Sequence, residues 1–103
     1  MQSRQPFVMK VLEPRSLDDV LAVDAPVVLL HQAAEAPLRA CLPAEAAAVR
    51  LVVGPEGGFG EEEVERAEKR GATSASLGPS TLRTETAAVV GAALVLHRYG
   101  RLG

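Results

Sequence analysis

Two charged side chains, Arg83 and Glu85, follow a Gly-Pro turn where a helix is predicted to begin. A carboxylate can accept a proton from a reacting group, and a guanidinium can orient a substrate or stabilise an anion. The stretch from Ser76 to Ala87 thus predicts a strand, a turn and a helix start that could carry chemistry. The plainer interpretation is a capped helix with an acidic residue in its first turn, where the helix dipole favours negative charge.

A second glycine-rich turn lies upstream and joins another predicted strand to another predicted helix. The apolar run over residues 51–53 predicts a buried strand, and the three glutamates at 61–63 suit a first helical turn. The turn between them consists of Gly54, Pro55, Glu56, Gly57 and Gly58. Glycines leave no Cβ between the backbone and a ligand, but the spacing matches neither a Rossmann fingerprint nor a P-loop. Because Glu56 would repel a phosphate, a cationic or mixed-charge ligand fits better, and a purely structural turn stays open.

The elements that must position these turns alternate along the chain. We expect an extended segment over 7–12, a short helix over 17–22 capped by Ser16, strands over 27–30, 51–53 and 73–77, helical turns over 38–42 and 45–49, a helix over 61–70 ended by Gly71, and a long helix over 82–99. This alternation predicts an α/β fold with a mainly parallel sheet and flanking helices. Three clear strands are few, so further edge strands or a second subunit are expected. Because residues 87–96 are apolar all round, the last helix is predicted to be enclosed by protein on most sides.

The composition narrows the class of protein. A length of 103 residues suits one domain, and a net charge of −2 disfavours an autonomous nucleic-acid-binding module with a broad basic face. We expect no membrane span and no signal peptide. The single cysteine, Cys41, excludes an internal disulfide and a cysteine-based metal site, and no other residues have the spacing of metal ligands. A reduced, cytoplasmic setting without a metal is expected.

Together the two glycine-bearing stretches resemble one family. The matching residues are Gly54-Pro-Glu-Gly-Gly-Phe59 with Glu63, then Leu77-Gly-x-x-x-Leu-Arg-x-Glu-Thr-Ala87, with a similar opening at Gln2-Ser-x-x-x-Phe-Val8. They resemble the RsmE-type 16S rRNA (uracil-N3) methyltransferases of the SPOUT superfamily. The resemblance implies S-adenosylmethionine as cofactor, a deep trefoil knot, a homodimer and 16S rRNA of the small ribosomal subunit as partner. Residues 1–103 would then be the C-terminal part of the SPOUT domain, with the family's N-terminal PUA-like domain absent.

The resemblance also implies that three loops near the knot bind the cofactor. The expected contacts are Leu30, His31, Val53, Gly54, Pro55, Glu56, Gly57, Gly58, Leu77, Gly78, Ser80, Leu82 and Thr86. Backbone groups of the loops would bond the adenine edge, while Leu77 and Leu82 would supply apolar contact. Arg83 and Glu85 would face the cofactor or the target base. From residue type alone, a partly buried structural role is the favoured interpretation of His31.

The chain departs from the family pattern at three positions. Gly60 stands where the family usually has serine, which predicts a weaker helix cap. Ser80 replaces a common arginine, so a contact of that cation with RNA or with the cofactor carboxylate would be missing. Thr81 replaces a usual aliphatic residue.

Methylation of uracil N3 requires the ring proton to leave and the nitrogen to meet an electrophilic methyl group. Orientation can contribute roughly 7–11 kcal/mol and a general base about 3–5 kcal/mol, so the loops would matter first and the base second. Glu85 is the candidate base and Arg83 the candidate orienting residue; the alternative is a helix-start residue paired with Arg83. Two other functions stay open: a non-catalytic dimerisation or cofactor-binding module, and a SPOUT enzyme that acts on another RNA, such as a tRNA ribose.

Overall fold

The computed structural model describes residues 7–12, 25–54, 59–78 and 82–101. Strands and helices alternate through these ranges: β1 is Val8–Leu12, β2 Val27–Leu30, α1 Leu38–Cys41, β3 Ala48–Val53, α2 Glu61–Lys69, β4 Thr73–Ala75 and α3 Thr84–Arg98. The predicted α/β class is confirmed. The predicted helix over 17–22 lies outside the described residues.

The described strands form one sheet in the order β1-β3-β2-β4, and every neighbouring pair is parallel. Leu30 in β2 lies opposite Val53 of β3 on one side and Ala75 of β4 on the other. The loops that follow these three strands therefore leave the sheet at one edge, its carboxyl edge. The opposite edge, where the strands begin, is the amino edge. The predicted mainly parallel sheet is confirmed, and β1 supplies a fourth strand at its rim.

Apolar side chains cover both faces of the sheet. On one face, α2 packs Val64 and Ala67 against Leu29 and Val52. On the other, Val95 of α3 and Leu38 of α1 join a cluster that contains Leu51. Alternating residues of β3 thus serve opposite faces, as the period of an extended strand requires. The whole of β2 is buried, as its continuous apolar run predicts.

A glycine allows α3 to approach the sheet closely. A Cβ atom on Gly91 would lie 2.8 Å from Leu51 Cδ2 and 2.9 Å from Leu30 Cδ1, which is too close for carbon atoms. Gly91 and Val95 are the buried residues of α3. The helix therefore lies directly over the strands whose ends form the carboxyl edge.

The prediction of a helical turn over 45–49 is wrong. Residues 45–47 are not helical, and Ala48 and Val49 begin β3, which is twice as long as the predicted three-residue strand over 51–53. Ala48 and Val49 lie opposite Val8 and Met9 of β1, so their backbone is part of the parallel ladder. Tertiary pairing with β1 overrides the local helix preference of the alanines.

The prediction that α3 is enclosed on most sides is also wrong for the single chain. Val89 is 69% exposed and Leu94 is 45% exposed. A helix that packs on one face of one sheet buries one side and leaves the other to solvent. The ends were predicted closely, since α3 begins at Thr84 instead of 82 and ends at Arg98 instead of 99. The knot stays a prediction.

Candidate functional site

The loop after β2 and the segment after β4 are joined by backbone hydrogen bonds at the carboxyl edge. The N–H of His31 donates to the carbonyl of Ala75 at 2.9 Å. The N–H of Ser76 donates to the Ala36 carbonyl at 2.8 Å, and the N–H of Leu38 donates to the Ser76 carbonyl at 3.0 Å. These bonds hold two of the three predicted cofactor loops side by side.

The third loop begins at Gly54, directly after β3. Gly54 is buried, and a Cβ atom there would lie 3.2 Å from Cδ2 of the Phe59 ring, so the ring uses the space that a side chain would fill. The hydroxyl of Thr84 donates to the Gly54 carbonyl at 3.3 Å. The two glycine-bearing stretches that the sequence singles out are therefore in direct contact at the carboxyl edge.

The turn at Leu77 and Gly78 is shaped by one hydroxyl and one glycine. The N–H of Gly78 donates a hydrogen bond to Ser76 Oγ at 3.0 Å, and the Ser76 hydroxyl donates one to the Gly78 carbonyl at 3.2 Å. Gly78 has φ of +119°, a conformation that side-chain-bearing residues rarely adopt. The turn is thus preorganised by residues of its own sequence, and Gly78 is required for its shape.

The side chains of the predicted site residues differ in their exposure to solvent. Leu30 and Val53 are buried, so they can offer a ligand only backbone groups. Residues with half-buried side chains are His31, Leu77 and Leu82, and those with exposed side chains are Arg83, Glu85 and Thr86. Pro55, Glu56, Gly57, Gly58 and Ser80 lie outside the described residues. The cofactor contacts expected at these five positions therefore stay predictions.

Arg83 and Glu85 stand at the start of α3, at the carboxyl edge. Arg83 is the N-cap residue, and Glu85 lies in the first turn. No ion pair joins these two side chains in the part of the chain that the structure describes. Both side chains are exposed, so they can reach a ligand that lies over this edge.

Sequence reasoning missed two residues of this edge, Ser76 and Thr84. Both use a hydroxyl to hold a glycine of a predicted cofactor loop. A signal was present, because hydroxyl residues beside glycines and helix starts commonly bond to backbone groups. The same signal predicts an ordinary helix cap, and only the fold shows that Thr84 reaches a carbonyl 30 positions earlier.

The ends of α2 follow the sequence prediction. Gly60 is the N-cap and makes no side-chain cap, as its residue type dictates, while its N–H donates to Glu63 Oε1 at 2.9 Å. Gly71 follows the helix with φ of +98°, which confirms its role as the terminating residue. The helix carries the chain from the Gly54 turn back to β4.

A separate groove of about 500 Å³ opens at the amino edge, far along the strands from the loops. It is lined by Pro26, Val27, Val28, Ala40, Cys41, Leu42, Pro43, Gly71 and Thr73. Burial raises the pKa of the Cys41 thiol, whose Sγ lies 3.4 Å from the Ser74 carbonyl. A thiol held in its protonated form is a poor nucleophile, so the groove offers less chemistry than the carboxyl edge.

The helices and the potential metal ligands of residues 7–12, 25–54, 59–78 and 82–101 bear on membranes and metals. None of the helices within them has the length and apolarity needed to cross a bilayer. The same ranges hold no group of three or more His, Cys, Asp or Glu side chains that could bind a metal ion.

Comparison with known proteins gives a consistent result. The family model described as an RNA methyltransferase domain matches residues 1–96. The chain is 38% identical over 88 residues to the ribosomal RNA small subunit methyltransferase E of Aquifex aeolicus, an alignment that covers 85% of this chain and 38% of the relative. It is 41% identical over 70 residues to the Mycobacterium bovis protein of that name, covering 68% of this chain and 27% of the relative. The chain thus spans well under half the length of these relatives.

Solved structures share the fold. A methyltransferase from Legionella pneumophila, in complex with its bound cofactor SAM, superposes with a TM-score of 0.69 at 34% identity, covering 82% of this chain and 35% of the other. The ribosomal RNA small subunit methyltransferase E of Neisseria gonorrhoeae, bound to S-adenosyl methionine, superposes with a TM-score of 0.66 at 26% identity, covering 79% and 35%.

Proposed function

This chain belongs to the RNA methyltransferase family, and on that premise we propose that it provides the cofactor-binding and catalytic part of an enzyme that methylates uracil N3 in 16S rRNA with S-adenosylmethionine. The observation that carries the proposal is the contact between the two glycine-bearing stretches, made by the Thr84 hydroxyl and the Gly54 carbonyl. The names of the small-subunit relatives support the substrate, and the two SAM-bound neighbours support the cofactor.

The residues at the carboxyl edge suit this cofactor. Three loops meet there, and Gly78 shapes one of them without a side chain. The half-buried Leu77 and Leu82 offer apolar surface to an adenine ring, and the backbone groups of the loops can bond its polar edge. When bound, the cofactor supplies a methyl group on a sulfonium, which is already activated for transfer. The role of the chain is then chiefly to orient the two reactants.

Glu85 is the proposed base and Arg83 its orienting partner. The Glu85 carboxylate would accept the proton that leaves uracil N3, and the Arg83 guanidinium would stabilise the negative charge left on the ring. Both side chains are exposed at the edge where the cofactor loops meet, which supports these roles.

Replacing Glu85 with glutamine tests the base. Because Glu85→Gln keeps the shape but removes the proton acceptor, we expect turnover on 16S rRNA to fall by about 10²–10⁴-fold. Affinity for S-adenosylhomocysteine should stay within a factor of about two, since the proposed role concerns the base and not the cofactor. Unchanged turnover would remove Glu85 from this role.

Binding of S-adenosylhomocysteine by the 103-residue chain tests the proposed site itself. Calorimetry should show saturable binding at one site per chain. Absence of binding by a sample with the circular dichroism of a folded α/β protein would contradict a cofactor site at this edge. Nucleoside analysis of the product separates the substrates: N3-methyluridine in small-subunit rRNA supports the proposal, whereas a 2′-O-methylated tRNA ribose favours the other SPOUT activity.

A second candidate function is a dimerisation module, which the exposed side of α3 favours. Val89 and Leu94 expose apolar surface that a second copy of the chain could cover. We propose a homodimer through this side, compatible with the enzymatic role. Sedimentation should show a dimer that Val89→Glu weakens. A dimer without cofactor binding would leave only the module, and a monomer would exclude it.

The proposed substrate and the lengths of the relatives also bear on domain organisation and cellular location. We propose that residues 1–103 correspond to the C-terminal part of a SPOUT domain with its knot. The alignment with the Aquifex relative covers 38% of that protein's length, which agrees with a match to one part of it. Acting on the small ribosomal subunit, the enzyme would work in the cytoplasm.

A further inference from the structure

We propose that Thr84 is a positioning residue whose hydroxyl fastens Gly54, the residue that follows β3, to the first turn of α3. In this role it fixes the spacing between two cofactor loops, so the inference rests on the proposed function for its purpose. The fastening itself is a property of the fold and can be measured without the cofactor.

The Thr84 hydroxyl makes a tertiary hydrogen bond. A threonine that caps its own helix stands at the N-cap and accepts an N–H group of the first turn. In α3 the N-cap is Arg83, which makes no side-chain cap, and Thr84 is the first helical residue. The hydroxyl instead donates to the Gly54 carbonyl at 3.3 Å, across 30 positions of sequence. It therefore joins the start of α3 to the residue that follows β3.

Gly54 is held between two contacts of different character. The Phe59 ring lies against the Cα of Gly54, so a Cβ atom on Gly54 would lie only 3.2 Å from carbons of the ring. This apolar contact fills space but has no preferred direction for the peptide group. The bond from Thr84 is directional, since a carbonyl accepts hydrogen bonds in the region of its lone pairs. Without the hydroxyl, the Gly54 carbonyl would lose this directional contact.

The position of Thr84 between Arg83 and Glu85 gives the bond a consequence for the site. The backbone that carries both charged side chains is tied through Thr84 to the start of the glycine-rich turn. Farther along α3, the helix rests on β3 through the close approach at Gly91. Gly91 thus fixes the height of the helix above the sheet, and Thr84 fixes its first turn relative to Gly54.

The test compares three variants with the unchanged chain. Thr84→Val keeps the size and branching but removes the donor, and Thr84→Ser keeps the donor. Thr73→Val makes the same chemical change at an exposed position at the start of β4, on the amino edge. Each protein is measured by calorimetry with S-adenosylhomocysteine and by amide hydrogen exchange of the peptides that contain Gly54 and Val95.

The expected pattern separates fastening from general stability. Thr84→Val should weaken S-adenosylhomocysteine binding by about 3- to 10-fold, the size expected for one neutral hydrogen bond. Exchange should accelerate by a similar factor in the Gly54 peptide but stay unchanged in the Val95 peptide. Thr84→Ser should restore both values, and Thr73→Val should alter neither.

Two results would overturn the inference. One is exchange at Gly54 that Thr84→Val leaves unchanged, and the other is a serine variant as defective as the valine variant. If the unchanged chain does not bind S-adenosylhomocysteine, the proposed function fails, and the exchange data alone decide whether Thr84 fastens the two loops.

Discussion

Different kinds of side-chain contact stabilise the carboxyl edge and the amino edge of the sheet, although α3 extends from one to the other. At the carboxyl edge, hydroxyls of Ser76 and Thr84 bond to backbone groups of glycines. At the amino edge, the Phe7 and Tyr99 rings pack with centroids 5.1 Å apart. Tyr99 also donates from its hydroxyl to the Pro43 carbonyl at 2.7 Å.

Guanidinium groups pack over the aromatic rings at the amino edge. The guanidinium of Arg98 lies 5.3 Å from the centre of the Tyr99 ring, and that of Arg101 lies 5.7 Å from the centre of the Phe7 ring. Rings and guanidinium groups cover apolar surface and fill space. Near β1 the amino edge is therefore covered by large side chains, beside the groove that contains Cys41, whereas the carboxyl edge is shaped by small side chains that leave backbone groups within reach of a ligand.

The largest expected effect comes from removing one aromatic ring at each edge and comparing the losses in the free energy of unfolding. Phe59 is 8% exposed and packs in the core beside Gly54, whereas Phe7 is only partly buried. Phe59→Ala should lower the free energy of unfolding by about 3 kcal/mol or more, and Phe7→Ala by about 1 kcal/mol. Urea denaturation of both variants provides the measurement. Equal losses would show that the exposed ring at the amino edge contributes as much as the buried one.

A smaller effect is expected from the Tyr99 hydroxyl. Tyr99→Phe keeps the ring contact with Phe7 but removes the donor to the Pro43 carbonyl, so unfolding should become easier by about 1 kcal/mol at neutral pH. Affinity for S-adenosylhomocysteine should not change, because Tyr99 lies at the opposite edge from the proposed site. A loss of affinity would contradict the separation of the two edges.

The contribution of Tyr99 should also depend on pH. Burial raises the pKa of Tyr99 above the ordinary 10.0, and the positive charge of Arg98 opposes part of that rise. Since the raised pKa belongs to the folded state, the stabilisation is fully present below pH 10 and is lost as the pH rises through the folded value. The stability difference between the unchanged chain and Tyr99→Phe should therefore shrink above pH 10. A difference that grew with alkaline pH would mean that folding lowers the pKa of Tyr99.

Much of the fold could be predicted from local patterns. The apolar run Val27–Leu30 coincides with β2, and the glutamates at 61–63 begin α2. The failures share one cause. The alanine-rich segment over 45–49 favours a helix locally, but Ala48 and Val49 join β3, because pairing with β1 satisfies their backbone groups. The exposure of Val89 likewise depends on which layers surround α3, and hydropathy alone does not contain that information.

The sequence by itself determined the two strand–turn–helix units, the glycines at their corners and the family, because these follow from residue types at short spacing. Only the tertiary structure decided that the units touch. The hydroxyl of Thr84 could donate to many different carbonyls. The parallel order of β2, β3 and β4 brings the Gly54 carbonyl to 3.3 Å from this hydroxyl. A contact across 30 residues depends on how the whole sheet assembles, which no local pattern specifies.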